Sequence, residues 1–125
     1  MKFVPVTGVE ADKEELLKEY KQARSYAKAR VGEHYFFYPA GFCKRGYVPY
    51  SEVVWAFRRM GQLERGSASY TVNKLVLVTR DKRQLEYIIH KDGTTDCLER
   101  LKRNYPAVDI GYEESKAAKY NTAED

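Results

Sequence analysis

The chain has 125 residues, 43% of them hydrophobic and 32% charged, with a formal net charge of +4. That length makes one domain able to bury a core without metal or disulfide staples, and the charge is milder than a dedicated DNA-binding module carries. Two cysteines, Cys43 and Cys97, fall short of a secreted disulfide framework, and Met1 to Gly8 lacks the apolar run of a signal peptide or membrane anchor.

These bounds lead to the expectation of a soluble, reduced, cytoplasmic protein with no transmembrane segment. Residues 1–125 read as one domain: an N-terminal arm over 1–11, a helix over 12–31, a sheet with a late helix over 34–112, and a polar tail over 113–125. Tyrosine stands out, with 11 copies. Its ring suits half-buried sheet positions, with the hydroxyl reaching water or a partner.

Asp12 and Glu15 have the spacing of a capping box, which predicts a helix from about Lys13 to Arg30. Leu16, Leu17, Tyr20, Ala23 and Ala27 form its apolar stripe, acids crowd its start, bases crowd its end, and Gly32 is its expected stop. His34 to Tyr38 then reads as an aromatic strand, with Pro39-Ala40-Gly41 as a turn. Strands are predicted at Phe42 to Lys44, Tyr47 to Pro49 and Val53 to Arg59, with a polar loop from Gly61 to Gly66.

Tyr70 to Thr79 is the longest extended candidate; a charged turn then leads to a strand from Gln84 to His90. Gly93 and Thr94 open a second helix with Cys97, Leu98, Leu101 and Tyr105 on one side, ended by Pro106. Val108 to Tyr112 is a last short strand, and Glu113 to Asp125 is expected to fray. Several strands are apolar on both faces, with Trp55 and Phe57 opposite Val54 and Ala56. A sheet of that kind needs a cover on each face, which closure into a barrel plus the long helix would supply. Alternation puts Val53, Trp55 and Phe57 on one shared face.

The stretch Tyr47-Val48-Pro49-Tyr50-Ser51-Glu52-Val53-Val54-Trp55, a glycine turn and short strand followed by a Pro-Tyr-Ser-acid break before a tryptophan strand, resembles bacterial pleckstrin-homology-like domains. The likeness runs from about Tyr35 to Asn104, where strands are followed by a late helix. It implies an α+β fold with a strongly bent antiparallel sheet or partly open barrel, here with a long N-terminal helix and a late C-terminal one. The chain departs from the pattern in that leading helix and in the strand-like Val108 to Tyr112. Phosphoinositide-binding members carry a dense basic pattern on their first hairpin; Lys44-Arg45 alone stands there, so lipid binding is not implied.

Catalytic, cofactor and metal constellations are not read. Gly41 to Gly46 has phosphate-loop glycine spacing, but Tyr47-Val48 follow where Lys and Ser/Thr are needed. Gly66-Ser67-Ala68-Ser69 lacks the glycine that a nucleophile elbow places after its serine. His34, Cys43, His90 and Cys97 match no zinc-ligand spacing, and neither His90 as a base nor Cys43 as a nucleophile has an assignable partner.

Three functions remain. The first is a non-catalytic intracellular binding or scaffold module for a protein or peptide, with Lys44, Arg45, Tyr47, Tyr50, Arg58 and Arg59 as the candidate binding residues. The second is nucleic-acid binding, with those bases and Arg65, Arg80, Lys82 and Arg83 on phosphates and tyrosines as stacking platforms. An enzyme of unrecognised type is third. A homodimer is also expected, because apolar sheet surface exceeds what two helices cover and Phe3-Val4-Pro5-Val6 can add to a sheet edge.

Overall fold

The computed structural model describes residues 1–120. Strand β1 (Lys2–Pro5) leads to helix α1 (Lys13–Gln22), then to β2 (Arg24–Tyr26), β3 (Ala29–Val31), β4 (Tyr35–Gly41) and β5 (Lys44–Pro49). A short 3-10 turn (Tyr50–Glu52) precedes β6 (Val53–Arg65), β7 (Ala68–Thr79) and β8 (Gln84–Ile88). Helix α2 (Lys91–Asn104), β9 (Asp109–Ile110) and α3 (Glu114–Lys119) complete the order. The class is α+β, as expected, but the strands divide between two sheets, β1-β5-β4-β3-β2 and β8-β7-β6-β9. Each is mixed and not wholly antiparallel, because β1 joins β5 and β9 joins β6 in parallel.

Asp12 caps α1, accepting from the Glu15 backbone N–H at 3.0 Å. The helix then stops at Gln22, short of the long helix expected to run to Arg30. Residues 24–31 form instead a tight hairpin, with Arg24 opposite Val31 and Ala27 at φ 55 in its turn. Ala23 and Ala27 favour helix by propensity, but burial overrides it: Ala29 and Val31 have no exposed surface once they alternate inward from a strand. Gly32 serves packing, not helix termination. A Cβ there would lie 2.9 Å from both a Glu19 carboxylate oxygen and the Tyr35 carbonyl.

Three apolar clusters result. The central one lies between the sheets, joining Phe36 and Val48 of the first to Ala56, Leu75 and Leu77 of the second, with Cys97 and Leu101 of α2 closing it. Outside the first sheet, α1 places Leu16 on Tyr35, Phe37 and Tyr47. Outside the second, Trp55, Phe57, Val76 and Val78 are covered by Ala117 and Tyr120.

Trp55 is fully buried, as expected, but it does not share a face with Val53. The β6–β7 register slips between Val53 and Trp55, so this bulge sends Val53 to the central cluster and Trp55 with Phe57 to the outer one. The polar tail expected to fray supplies the cover as far as Tyr120: the Trp55 indole donates to the Gly111 carbonyl at 2.8 Å and stacks with Tyr112 and Tyr120. Residues 121–125 of that tail lie outside the described residues. The arm segment Phe3 to Pro5 adds to the edge of its own β5. Both surfaces that suggested a second copy are thus used within this chain.

Other boundaries shift for local reasons. The first turn falls at Phe42-Cys43, with Cys43 at φ 56, so Lys44 to Pro49 is one strand and not two. The predicted polar loop over 61–66 is strand: β6 runs on to Arg65, and the turn is at Gly66 (φ +60) and Ser67. No helix among the described residues is long and apolar enough to cross a membrane.

Truncation after Tyr112 should strip the cover from the single tryptophan. Its fluorescence is expected to shift to the red and the melting temperature to fall, while Trp55→Ala should cost about 3–5 kcal/mol. An unshifted emission maximum after truncation would contradict the packing of α3.

Candidate functional site

β6 has 13 residues and β7 has 12, about 40 Å of hairpin, yet their outer neighbours are short. β8 pairs with β7 only from Lys74 to Val78, and β9 pairs with β6 only at Trp55 and Ala56. Beyond those points the hairpin continues as a two-stranded ribbon, from Met60 opposite Asn73 to Arg65 opposite Ala68. Between this ribbon, the β2–β3 turn, the end of β8 and the start of α2 lies a groove of about 770 Å³.

Its walls are set by close packing. Gly93 on α2 lies under the Tyr26 ring so tightly that a Cβ would fall 2.9 Å from the ring carbon Cγ, which docks the β2–β3 hairpin on the helix. The Tyr26 hydroxyl donates to Asp96 at 2.6 Å, and Arg100 holds the other Asp96 oxygen at 2.8 Å. Burial, and then the hydrogen bond to Asp96, pushes the Tyr26 phenol up to about 12. Asn73 of β7 donates to the Ile89 carbonyl at 3.2 Å and to Thr94 Oγ1 at 2.6 Å. Its Oδ1 is buried at the groove wall without a donor among the described residues. His90 caps α2, its Nδ1 accepting from the Asp92 N–H at 3.1 Å.

The lining is apolar with a positive rim. Met60 is 60% exposed and Ile88 44%, two of the chain's exposed large apolar side chains, and both line the groove. Lys28, Arg58, Arg65 and Lys91 also line it, whereas no carboxylate among the described residues does. Arg58 donates to Thr95 Oγ1 at 2.6 Å and, at 3.4 Å, to the Lys91 carbonyl, both neutral acceptors.

Several bases elsewhere are paired. Arg59 and Lys74 share Glu86 at 2.8 and 3.5 Å, Arg83 meets Asp81 at 2.7 Å, and Arg100 joins Asp96 and Glu33. Burial opposes ionisation of Glu86, but the Gln84 hydrogen bond and these two cations outweigh it and lower its pKa. None of the four groove cations forms such a pair among the described residues. The groove therefore gathers four bases and no carboxylate of the described residues around an apolar lining.

The six residues singled out from sequence occupy separate places. Arg58 lines the groove, while Arg59 is directed to Glu86. Lys44 is exposed at the start of β5, and Arg45 beside it donates to the Tyr20 hydroxyl at 3.1 Å. Tyr47 is buried under α1, where its hydroxyl donates to the Val9 carbonyl and accepts from the Ala11 N–H. Tyr50 is fully buried beside Cys97 in the central cluster. Burial raises the Tyr50 phenol well above its usual value and pushes the Cys97 thiol up to about 12. Sequence reasoning missed Lys28, Met60, Ile88 and Lys91, which lie on separate elements and share no motif spacing that could have signalled them.

A family model matches residues 3–120, nearly the whole chain. The protein belongs to that family. It is described as a domain of unknown function, DUF6709. No curated protein and no solved structure matches the chain.

Tyr26→Phe removes the hydrogen bond to Asp96 and should cost about 1–2 kcal/mol at neutral pH. Because the folded-state phenol is raised from 10.0 to about 12, that stabilisation is fully present below pH 10 and lost as pH rises through 12. Denaturant midpoints of wild type and variant should therefore converge across that window. A gap that stays constant to pH 12 would show that the hydroxyl is not bound to Asp96.

Proposed function

We propose that this protein is a non-catalytic intracellular binding module of pleckstrin-homology-like build, and that its partner, a protein or peptide, occupies the groove beside the β6–β7 ribbon. The observation that carries the reading is the coincidence of exposed Met60 and Ile88 with four bases that have no acidic partner among the described residues. Apolar surface left at a concave site, with charge left unneutralised around it, is what a binding partner completes. The build is supported by the two-sheet core with a late helix, α2, packed into it, and the exposed free thiol of Cys43 suits a reducing compartment.

Nucleic-acid binding has the cations but fewer of the platforms. Of the two tyrosines lining the groove, Tyr26 is held by Asp96 and Tyr38 is packed with Phe36 and Tyr87, while Tyr35, Tyr47 and Tyr50 lie in the clusters, which leaves exposed Tyr70 on the ribbon as the ring nearby for stacking. Salt dependence separates the two, since phosphate contacts weaken steeply with ionic strength and an apolar groove does not.

Met60→Asp with Ile88→Asp alters only exposed side chains, so the fold should survive. Proteins retained by wild-type chain from a native lysate should be lost with this variant and resist nuclease treatment. Retention of the same set by the variant, or its release by nuclease, would refute the groove as a protein-binding site.

A further inference from the structure

The β7 edge facing the groove stops short of its sheet. Asn73 accepts the last bond from the β8 side, from the Ile89 N–H at 3.2 Å, and β8 itself ends opposite Lys74. Backbone groups on one edge of a strand belong to alternate residues, so Thr71 and Ser69 point the same way as Asn73. Ala68 to Val72 has no strand neighbour on that side among the described residues. This stretch is about 17 Å long, room for roughly five residues of an added strand. Thr71, Val72 and Asn73 also line the groove, so the open edge and the cationic pocket are one surface.

We propose that the occupant is an extended acidic segment of a partner protein, alternating apolar residues with Asp or Glu, that adds as a strand to the β7 edge in line with β8. This deepens the groove reading and rests on it. Main-chain bonds to Thr71 and Ser69 supply register and affinity, as strand addition does elsewhere. Register puts Ile88 on the Lys74 face of the sheet and Met60 with Arg58 on the other, so apolar side chains on one face of the added strand continue the row of Ile88, and those at its margin adjoin Met60. Carboxylates meet Lys28, Arg58, Arg65 and Lys91, contributed by the β2–β3 turn, the ribbon and α2, so opposite charge is presented from three sides of the groove. A basic or neutral segment would leave these four cations uncompensated while covering them, which selects against it.

The test is selection of a random nonapeptide display library on the full chain, followed by anisotropy and amide hydrogen exchange with individual peptides. Selected sequences should alternate apolar and acidic residues, and binding should slow exchange at Ser69 and Thr71. Arg58→Glu with Arg65→Glu should weaken binding by at least about tenfold, as should the separate pair Lys28→Glu with Lys91→Glu, placed on other elements so that misfolding of one variant does not decide the result.

Enrichment of basic or neutral peptides, or affinity indifferent to both charge reversals, overturns the acidic preference. Displacement of the peptide by a mixed single-stranded oligonucleotide at lower concentration overturns the choice of a protein segment. Peptides that bind and perturb the groove without protecting Ser69 and Thr71 overturn strand addition while leaving the groove as the binding site. Failure to enrich any peptide, together with unchanged lysate capture by the Met60/Ile88 variant, removes both readings.

Discussion

Everything in this molecule hangs on the β6–β7 ladder. Its inner half, from Trp55 opposite Val78 to Arg58 opposite Leu75, feeds two apolar clusters at once. Ala56, Leu75 and Leu77 face the first sheet, and Trp55, Phe57, Val76 and Val78 face the C-terminal segment. Such a strand pair is specified twice over, because a one-residue slip would exchange the two faces against both covers. The bulge between Val53 and Trp55 completes the arrangement by letting a consecutive apolar run serve the inter-sheet core and the outer face in turn. The outer half uses the register so fixed to carry a ribbon into solvent, where Gly61 to Arg65 and Ala68 to Val72 have no outer strand neighbour among the described residues.

What the sequence made legible follows from which interactions are local. The Asp12 cap and Glu15 sit three residues apart, so the start of α1 could be read directly. Trp55 between apolar neighbours announced a strand with two faces, and the need for a cover on each was correct. The end of α1 was hidden because Ala23 and Ala27 extend the helical stripe and favour helix by propensity, and the Ala27-Lys28 turn holds neither glycine nor asparagine to mark it. What decides between the two is the burial of Ala29 and Val31 against residues far along the chain, which no local spacing reports. The same is true of the tail: Tyr112 and Tyr120 gain their partner, Trp55, only in three dimensions.

The groove was less legible still. Its cations come from positions 28, 58, 65 and 91, and none has the spacing of a motif. Seen along the chain, the bases are interspersed with acids and read as a solvated surface. Folding sorts them: Glu86 takes Arg59 and Lys74, and Asp96 takes Arg100, while the bases around the groove are left with neutral partners or none. What sets the groove apart is that folding gathers four bases and no acid of the described residues there, so a net charge of only +4 can coexist with a locally positive site.

A two-stranded ribbon with open edges is a liability, because any extended chain can add to it, including another copy of itself. Residues 58–74 carry four bases and one acid, and although Glu86 meets Arg59 and Lys74, Arg58 and Arg65 stay without an ion pair among the described residues, which disfavours two such ribbons meeting edge to edge. Gly66 and Ser67 keep the tip small and polar, and Gly61 packs against Lys74, whose chain would be displaced by a Cβ at 2.9 Å. The ribbon thus carries like charge along an edge whose backbone remains available, and on the proposed reading that charge turns away another basic edge while admitting an acidic strand. On that reading, one distribution of arginine and lysine both disfavours edge-to-edge contact of like ribbons and defines what the edge can accept.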